Sequence, residues 1–234
     1  MLIGEKDRAV IRELLEEMTD PVRLVVFTEG AIRPAGHEPC PYCEQTVTLA
    51  RELAELSDRL SVEVVNFHQD KAKVEEYGIA RIPAIAVVGD RDYGVRYYGI
   101  PAGWEFRTLL ESIIDVSRGT TDLPEDIREQ VARIDSPVHI QVFVTPTCPY
   151  CPAAVRFAHK LAVESDYVTA DMVEAQEFPA LARRYDVFGV PRTVINETTH
   201  IEGALPEAYA ILHVLKAAGK LTEEEESRLA AIAR

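Results

Sequence analysis

Apolar positions along the chain alternate between two rhythms. Val10, Ile11, Leu14, Leu15 and Met18 recur at helical spacing and predict an amphipathic helix near the start. Val22–Phe27 is a nearly unbroken apolar run, which suits a strand buried on both faces. A second helix is predicted with Val47, Leu49, Leu53, Leu56 and Leu60 inward, then a strand over Val62–Phe67 and a short helix ending at Tyr77. Another strand, Ala84–Val88, precedes a last helix carrying Phe106, Leu109, Leu110 and Ile113.

The same succession then returns. Ile127, Val131 and Ile134 mark a helix, Val138–Val144 a strand, and Val155, Phe157, Ala158 and Leu161 the next helix. A strand over Tyr167–Met172, a helix ending at Tyr185 and a strand over Thr193–Ile195 follow. A helix with Tyr209, Leu212, Val214 and Leu215 completes the set, and Gly99 and Gly203 stand before the two last helices. Helices alternating with strands define an α/β protein, here two units, each a central mixed sheet flanked by helices.

The repeat is strict at the positions that carry chemistry. One offset of 108 residues brings Cys40 onto Cys148, Cys43 onto Cys151, Tyr77 onto Tyr185 and Pro83 onto Pro191. "DPVRLVVF" matches "SPVHIQVF" at an offset of 116, because "TEGAIRPAGHEP" before the first quartet is longer than "VTPT" before the second. Two homologous units follow, 1–118 and 119–234, joined in the Gly-, Thr- and Pro-containing stretch "SRGTTDLPED". The tail "KLTEEEESRLAAIAR" predicts an extra exposed helix, with Thr222 as N-cap and Glu225 completing a capping box.

Composition narrows the function. A formal charge of -14 and no basic block argue against a nucleic-acid surface. No apolar run approaches the ~20 residues of a membrane span, and the amphipathic, charged start has no apolar signal core. A cytoplasmic protein is expected. Asn occurs only at positions 66 and 196 beside many Glu and Arg, which points to a thermophile.

All 4 cysteines lie in the two CPYC quartets, one after the first strand of each unit. A helix is expected to start at or just after Cys40, with Pro41 near its first position, where a missing N–H matters least. The leading sulfur then faces free amides and the positive end of the helix dipole, a setting that stabilises a thiolate. Cys43 lies one turn on, as a resolving thiol, and the same holds for Cys148 and Cys151. Zinc and a structural bridge are the competing readings. Zinc pairs usually stand roughly 15–20 residues apart, far closer than these, and neither reading explains the downstream proline 43 residues after each leading cysteine.

On these residues each unit resembles a thioredoxin fold, and CPYC is the glutaredoxin form of its motif. With "FVTPTCPYCP", "DMVEA" and "YGVRYYGIPAG", nearly the whole chain resembles the tandem protein disulfide oxidoreductases of hyperthermophilic archaea and bacteria, which are related in function to protein disulfide isomerase. The resemblance implies thiol–disulfide exchange on proteins, with Cys40 and Cys148 as nucleophiles and Cys43 and Cys151 resolving. Pro83 and Pro191 match a cis-proline, and the backbone at Ile82 and Val190 before them pairs with bound substrate like an added strand. Tyr42 and Tyr150 are expected to cover the pairs or touch substrate. No organic cofactor or metal is implied beyond the redox-active disulfides, and a thioredoxin-reductase-like flavoprotein is the expected recycling partner. A glutathione-dependent reductase and a chaperone-like binding module with structural bridges are the alternatives.

The strand before each motif lacks the acid that thioredoxins place there, offering Val26 and Phe27 or Val142 and Phe143 instead. Asp171 and Glu174 are candidate proton acceptors in the second unit, with ordinary surface acids as the favoured alternative. His37, three residues before Cys40, is a candidate for depressing that thiol's pKa, with a solvated loop histidine as the favoured alternative, whereas Trp104 reads as packing and His159 as a helix-surface or satisfied interior residue. With His37 at site one and Pro152 removing an amide at site two, site one is expected to be the stronger oxidant by roughly 10–40 mV.

Overall fold

The structure, a computed structural model, describes residues 2–30 and 39–232. Its elements run α1 (Glu5–Leu15), β1 (Val22–Thr28), α2 (Cys43–Ala54), β2 (Leu60–Asn66), α3 (Lys71–Glu76), β3 (Ala84–Val88), β4 (Asp92–Tyr98) and α4 (Glu105–Arg118). The second unit repeats this order: α5 (Glu125–Val131), β5 (Val138–Val144), α6 (Cys151–Glu164), β6 (Val168–Glu174), α7 (Pro179–Arg184), β7 (Arg192–Ile195), β8 (Thr199–Glu202) and α8 (Glu207–Ala217). A terminal helix, α9 (Glu223–Ile232), follows. Two of these strands are not predicted by the hydrophobic pattern. β4 is buried from Tyr93 to Tyr98 and so lacks alternation, and β8 has only 4 residues.

The two sheets fuse. Among the described residues the eight strands form one sheet in the order β2-β1-β3-β4-β6-β5-β7-β8. Each unit therefore repeats the order second, first, third, fourth strand. The seam is a parallel ladder of Val95–Tyr98 against Ala170–Val173. It places Arg96 opposite Asp171, and buried Arg96 is held by Asp92 (2.8 Å) and by the Tyr77 carbonyl (3.2 Å). Gly94 at the start of the seam has φ 79°, and a Cβ there would meet the Val168 carbonyl at 3.0 Å, so the close approach of the two units depends on glycine.

Following the pairing directions across the sheet, β1 and β5 run parallel. Their C-terminal ends, and hence both quartets, open at one edge. Four strand spacings of ~4.8 Å put them roughly 19 Å apart, too far for the four sulfurs to share one ion.

Helices α1, α2, α4, α5, α6 and α8 cover one face over a core that includes Leu24, Val26, Leu53, Ile85, Leu109, Val142, Leu161 and Leu212. The other face packs Phe27, Tyr77, Phe143 and Tyr185 under the short helices α3 and α7. Val10 departs from the expected inward face: it is 66% exposed, because α1 packs through Ile11 and Leu15. Leu60 opens β2 rather than closing the helix. The capping box of α9 forms, with the Glu225 amide donating to Thr222 Oγ1 (3.3 Å) and the Thr222 amide to Glu225 Oε2 (2.8 Å). The helix is docked rather than free, since buried Glu225 pairs with Arg133 at 2.7 Å.

Candidate active sites

Each quartet follows a buried strand whose side chains lock its direction. Cys40–Cys43 and Cys148–Cys151 are disulfides with Cα atoms 5.5 Å apart. The helices begin at the second cysteine of each pair, not the first, because Pro41–Tyr42 and Pro149–Tyr150 form a turn ahead of Cys43 and Cys151. Pro41 thus precedes its helix instead of opening it. Cys43 and Cys151 are buried, at 3% and 0% exposure. The leading sulfurs sit just beyond the helix ends, where unpaired amides point outward.

The two sites differ in what touches the leading cysteine. At site two the Cys151 amide donates to Cys148 Sγ at 3.1 Å. Pro152 occupies the first turn of α6, where an N–H has no intrahelical partner in any case, so it takes nothing from this bond. At site one the Cys40 amide donates to Glu29 Oε2 at 3.1 Å, which places a carboxylate beside the pair. The Pro152 part of the ranking of site one as the stronger oxidant thus finds no support in the Cys148 contact, and the His37 part lies outside the described residues.

The prolines converge on the same end of the sheet. Ile82–Pro83 and Val190–Pro191 are cis, and Cys148 Sγ lies 3.7 Å from the Val190 carbonyl oxygen. Pro83 and Pro191 are buried, while Ile82 and Val190 are half-buried and reach the surface. Tyr42 and Tyr150 are 42% and 70% exposed, so they stand at the rim rather than closing over the sulfurs. Trp104 is also exposed, at 54%, and is not a packing residue.

The acids sort differently from expectation. Asp171 shares its face of β6 with Val173, opposite the face that carries Ala170, Met172 and the quartet helix, and it pairs with His139 at 2.7 Å. It is part of the seam and does not serve Cys151. Glu174 stands in register with Val144, and its Oε2 accepts the Glu177 amide. Glu177 in turn accepts the Ile100 amide, and burial pushes its pKa up to about 7. This pair closes the turn between the units. His159 is an interior residue, bonded to Ser112 (3.1 Å) and the Arg96 carbonyl (3.2 Å), and burial pushes its pKa down to about 3, so it is neutral.

Another buried acid stands near site two: Glu105, at the first position of α4. Helices α4 and α6 lie side by side, with Ser112 against His159 and both Glu111 and Asp115 against Arg156. Carried back along both helices, that register sets Glu105 beside the quartet. The loop contact agrees, since the Trp104 amide donates to the Pro146 carbonyl at 3.2 Å. Glu105 is 1% exposed, and burial pushes its pKa up to about 7 against the lowering effect of Thr108 Oγ1, which bonds Oε2 at 2.9 Å. Oε1 has no hydrogen-bond partner among the described residues. Nothing in the sequence signals this, because an acid in a helix's first turn reads as an ordinary complement to the dipole.

This strand, turn and helix geometry, repeated around two cysteine pairs, defines a thioredoxin-fold disulfide oxidoreductase. A family profile described as "Thioredoxin domain" matches residues 33–111 and again 138–216, and the chain belongs to that family in two tandem copies. A protein disulfide oxidoreductase from Aeropyrum pernix k1 is 33% identical, with a TM-score of 0.83 over 95% of this chain and 97% of that one. The N-terminal domain of the alkylhydroperoxide reductase AhpF from Enterococcus faecalis shares the fold, with a TM-score of 0.81 at 22% identity over 90% of this chain and 99% of that one. A protein of Bacillus subtilis named NADH dehydrogenase is 28% identical over 64% of this chain, and the match spans 27% of that longer protein. An alkyl hydroperoxide reductase component of Staphylococcus aureus is 26% identical over 63% of this chain and 27% of its own length.

Proposed function

We propose that the chain exchanges disulfides with polypeptide substrates at both quartets. The observation that carries this reading is the pairing of each cysteine couple, just past the C-terminal end of a strand, with a buried cis-proline at the same edge. Reduced Cys40 or Cys148 attacks one sulfur of a substrate disulfide, and the other substrate sulfur leaves as a thiolate. Cys43 or Cys151, deprotonated, then attacks the leading sulfur of the mixed disulfide. The second substrate thiolate departs, and two electrons have passed from the pair to the substrate. The reverse sequence installs a disulfide. Backbone at Ile82 and Val190 pairs with the extended substrate, and Tyr42 and Tyr150 flank it.

At site two Glu105 is the proton acceptor for Cys151. A carboxyl with pKa near 7 is matched to a thiol at neutral pH, and its free Oε1 is the group that would take the proton. The chain's own sulfurs supply all the chemistry, with no organic cofactor or metal. The recycling partner is a flavoprotein of the thioredoxin-reductase kind in the cytoplasm, which fits the presence of related segments within longer proteins named as reductase and dehydrogenase. Insulin reduction driven by dithiothreitol tests the reading: turnover is expected from wild type and from each single-site protein.

A further inference from the structure

The two sites are built on one plan, so their differences mark what each was shaped to meet. The offset of 108 pairs Ala80 with Phe188, Arg81 with Gly189 and Ile82 with Val190. In unit one the guanidinium of Arg81 lies 4.9 Å from the ring centre of Tyr98 and 5.8 Å from that of Phe178, covering both aromatics ahead of Pro83. In unit two the matching position is Gly189, and a Cβ there would meet nothing within 4 Å. Phe188 beside it is 95% exposed, against an exposed alanine in unit one.

A single exposed apolar side chain is ordinary on a protein surface. Phe188 is set apart by its position. The contact between Cys148 Sγ and the Val190 carbonyl is the centre of site two. Phe188 stands two residues from Val190, and Tyr150, 70% exposed, stands two residues from Cys148. The amides of Phe188, Gly189 and Val190 donate no hydrogen bond among the described residues. Free backbone donors and two uncovered aromatic rings thus lie within two residues of the Cys148–Val190 contact, the combination that holds an extended peptide by its backbone and selects it by its side chains.

We infer that Phe188, together with the rim tyrosine Tyr150, makes site two selective for cysteine-bearing segments with apolar neighbours, such as those exposed by incompletely folded chains, whereas site one, which keeps its rim tyrosine Tyr42 but has Ala80 and Arg81 in place of Phe188 and Gly189, lacks this preference. The inference rests on the reading above that each quartet exchanges disulfides with polypeptides. Phe188 positions substrate and takes no part in the bond changes.

Two short cyclic peptides closed by one disulfide test it, identical except for Leu and Phe or Asp and Glu beside the cysteines. Full-length protein with only site two (Cys40→Ser and Cys43→Ser) reduces them, with dithiothreitol supplying the two electrons. The apolar peptide is expected to have the higher kcat/KM, and Phe188→Ala is expected to lower the apolar-to-acidic ratio about tenfold, through KM. In protein with only site one, Ala80→Phe is expected to raise that ratio. Turnover of both peptides with a ratio that neither substitution moves would overturn the selectivity and leave disulfide exchange standing. Turnover of neither peptide would overturn both.

Discussion

The Cys151 amide points at Cys148 Sγ across 3.1 Å, while the Cys40 amide is spent on the carboxylate of Glu29. A donated N–H stabilises a thiolate, and a nearby carboxylate opposes one. Cys148 should therefore be the more acidic leading thiol, by about one pKa unit if the hydrogen bond is worth ~1.4 kcal/mol. A stabilised thiolate favours the reduced pair, so site two should be the stronger oxidant, by about 30 mV. The pH dependence of alkylation in the two single-site proteins measures this. A lower pKa at Cys40 would show that groups other than this amide and Glu29 set the poise.

Glu105 makes a second prediction, in which activity and stability move in opposite directions. Its folded-state pKa is raised from 4.5 to about 7, so between those values the native state binds the extra proton. Stability then falls as pH rises through that window, and the loss is complete above pH 7. Glu105→Gln removes the penalty and is expected to stabilise the protein at pH 8 by up to ~3 kcal/mol. The same change should slow resolution of the mixed disulfide at site two about tenfold and flatten its pH profile near 7. Thermal melts at pH 5 and pH 8, with single-turnover kinetics, check both. An unaltered pH profile would exclude Glu105 as the acceptor.

Glu225 supplies the opposite sign. Arg133 holds its carboxyl down to about 2, below the ordinary 4.5, so the stabilisation is present above pH 4.5 and is lost as pH falls toward 2. Arg133 is one-third exposed, which screens the pair. Glu225→Gln is expected to cost about 1–2 kcal/mol at pH 7 and little at pH 2. Limited proteolysis of α9 at both pH values reports the undocking. Equal protection of wild type and variant at pH 7 would contradict it.

Much of this was legible in the chain itself, for identifiable reasons. The repeat carried the cysteines and prolines, because a fixed spacing from quartet to proline survives any change in the surrounding surface. The apolar runs of β1, β3 and β5 were visible because both their faces are buried. β4 escaped because it holds a central place in a sheet fused across two units, where buried Arg96 and Gly94 interrupt the run a strand usually shows. Glu105 escaped for a related reason: only the packing of α4 against α6 distinguishes it from a solvated first-turn acid. Asp171 reads in the sequence as a surface acid or a candidate proton acceptor and is neither, because a place in the chain does not say that its face of β6 is buried at the seam.

Insulin reduction by Cys40→Ser/Cys148→Ser, beside wild type and each single variant, tests disulfide exchange most directly. Each single change should leave one working site, with turnover lowered but plainly above the uncatalysed rate. The double change should bring turnover to that background, since no leading sulfur remains to open a substrate disulfide. Near-full activity in the double variant would contradict the assignment of Cys40 and Cys148 as the nucleophiles.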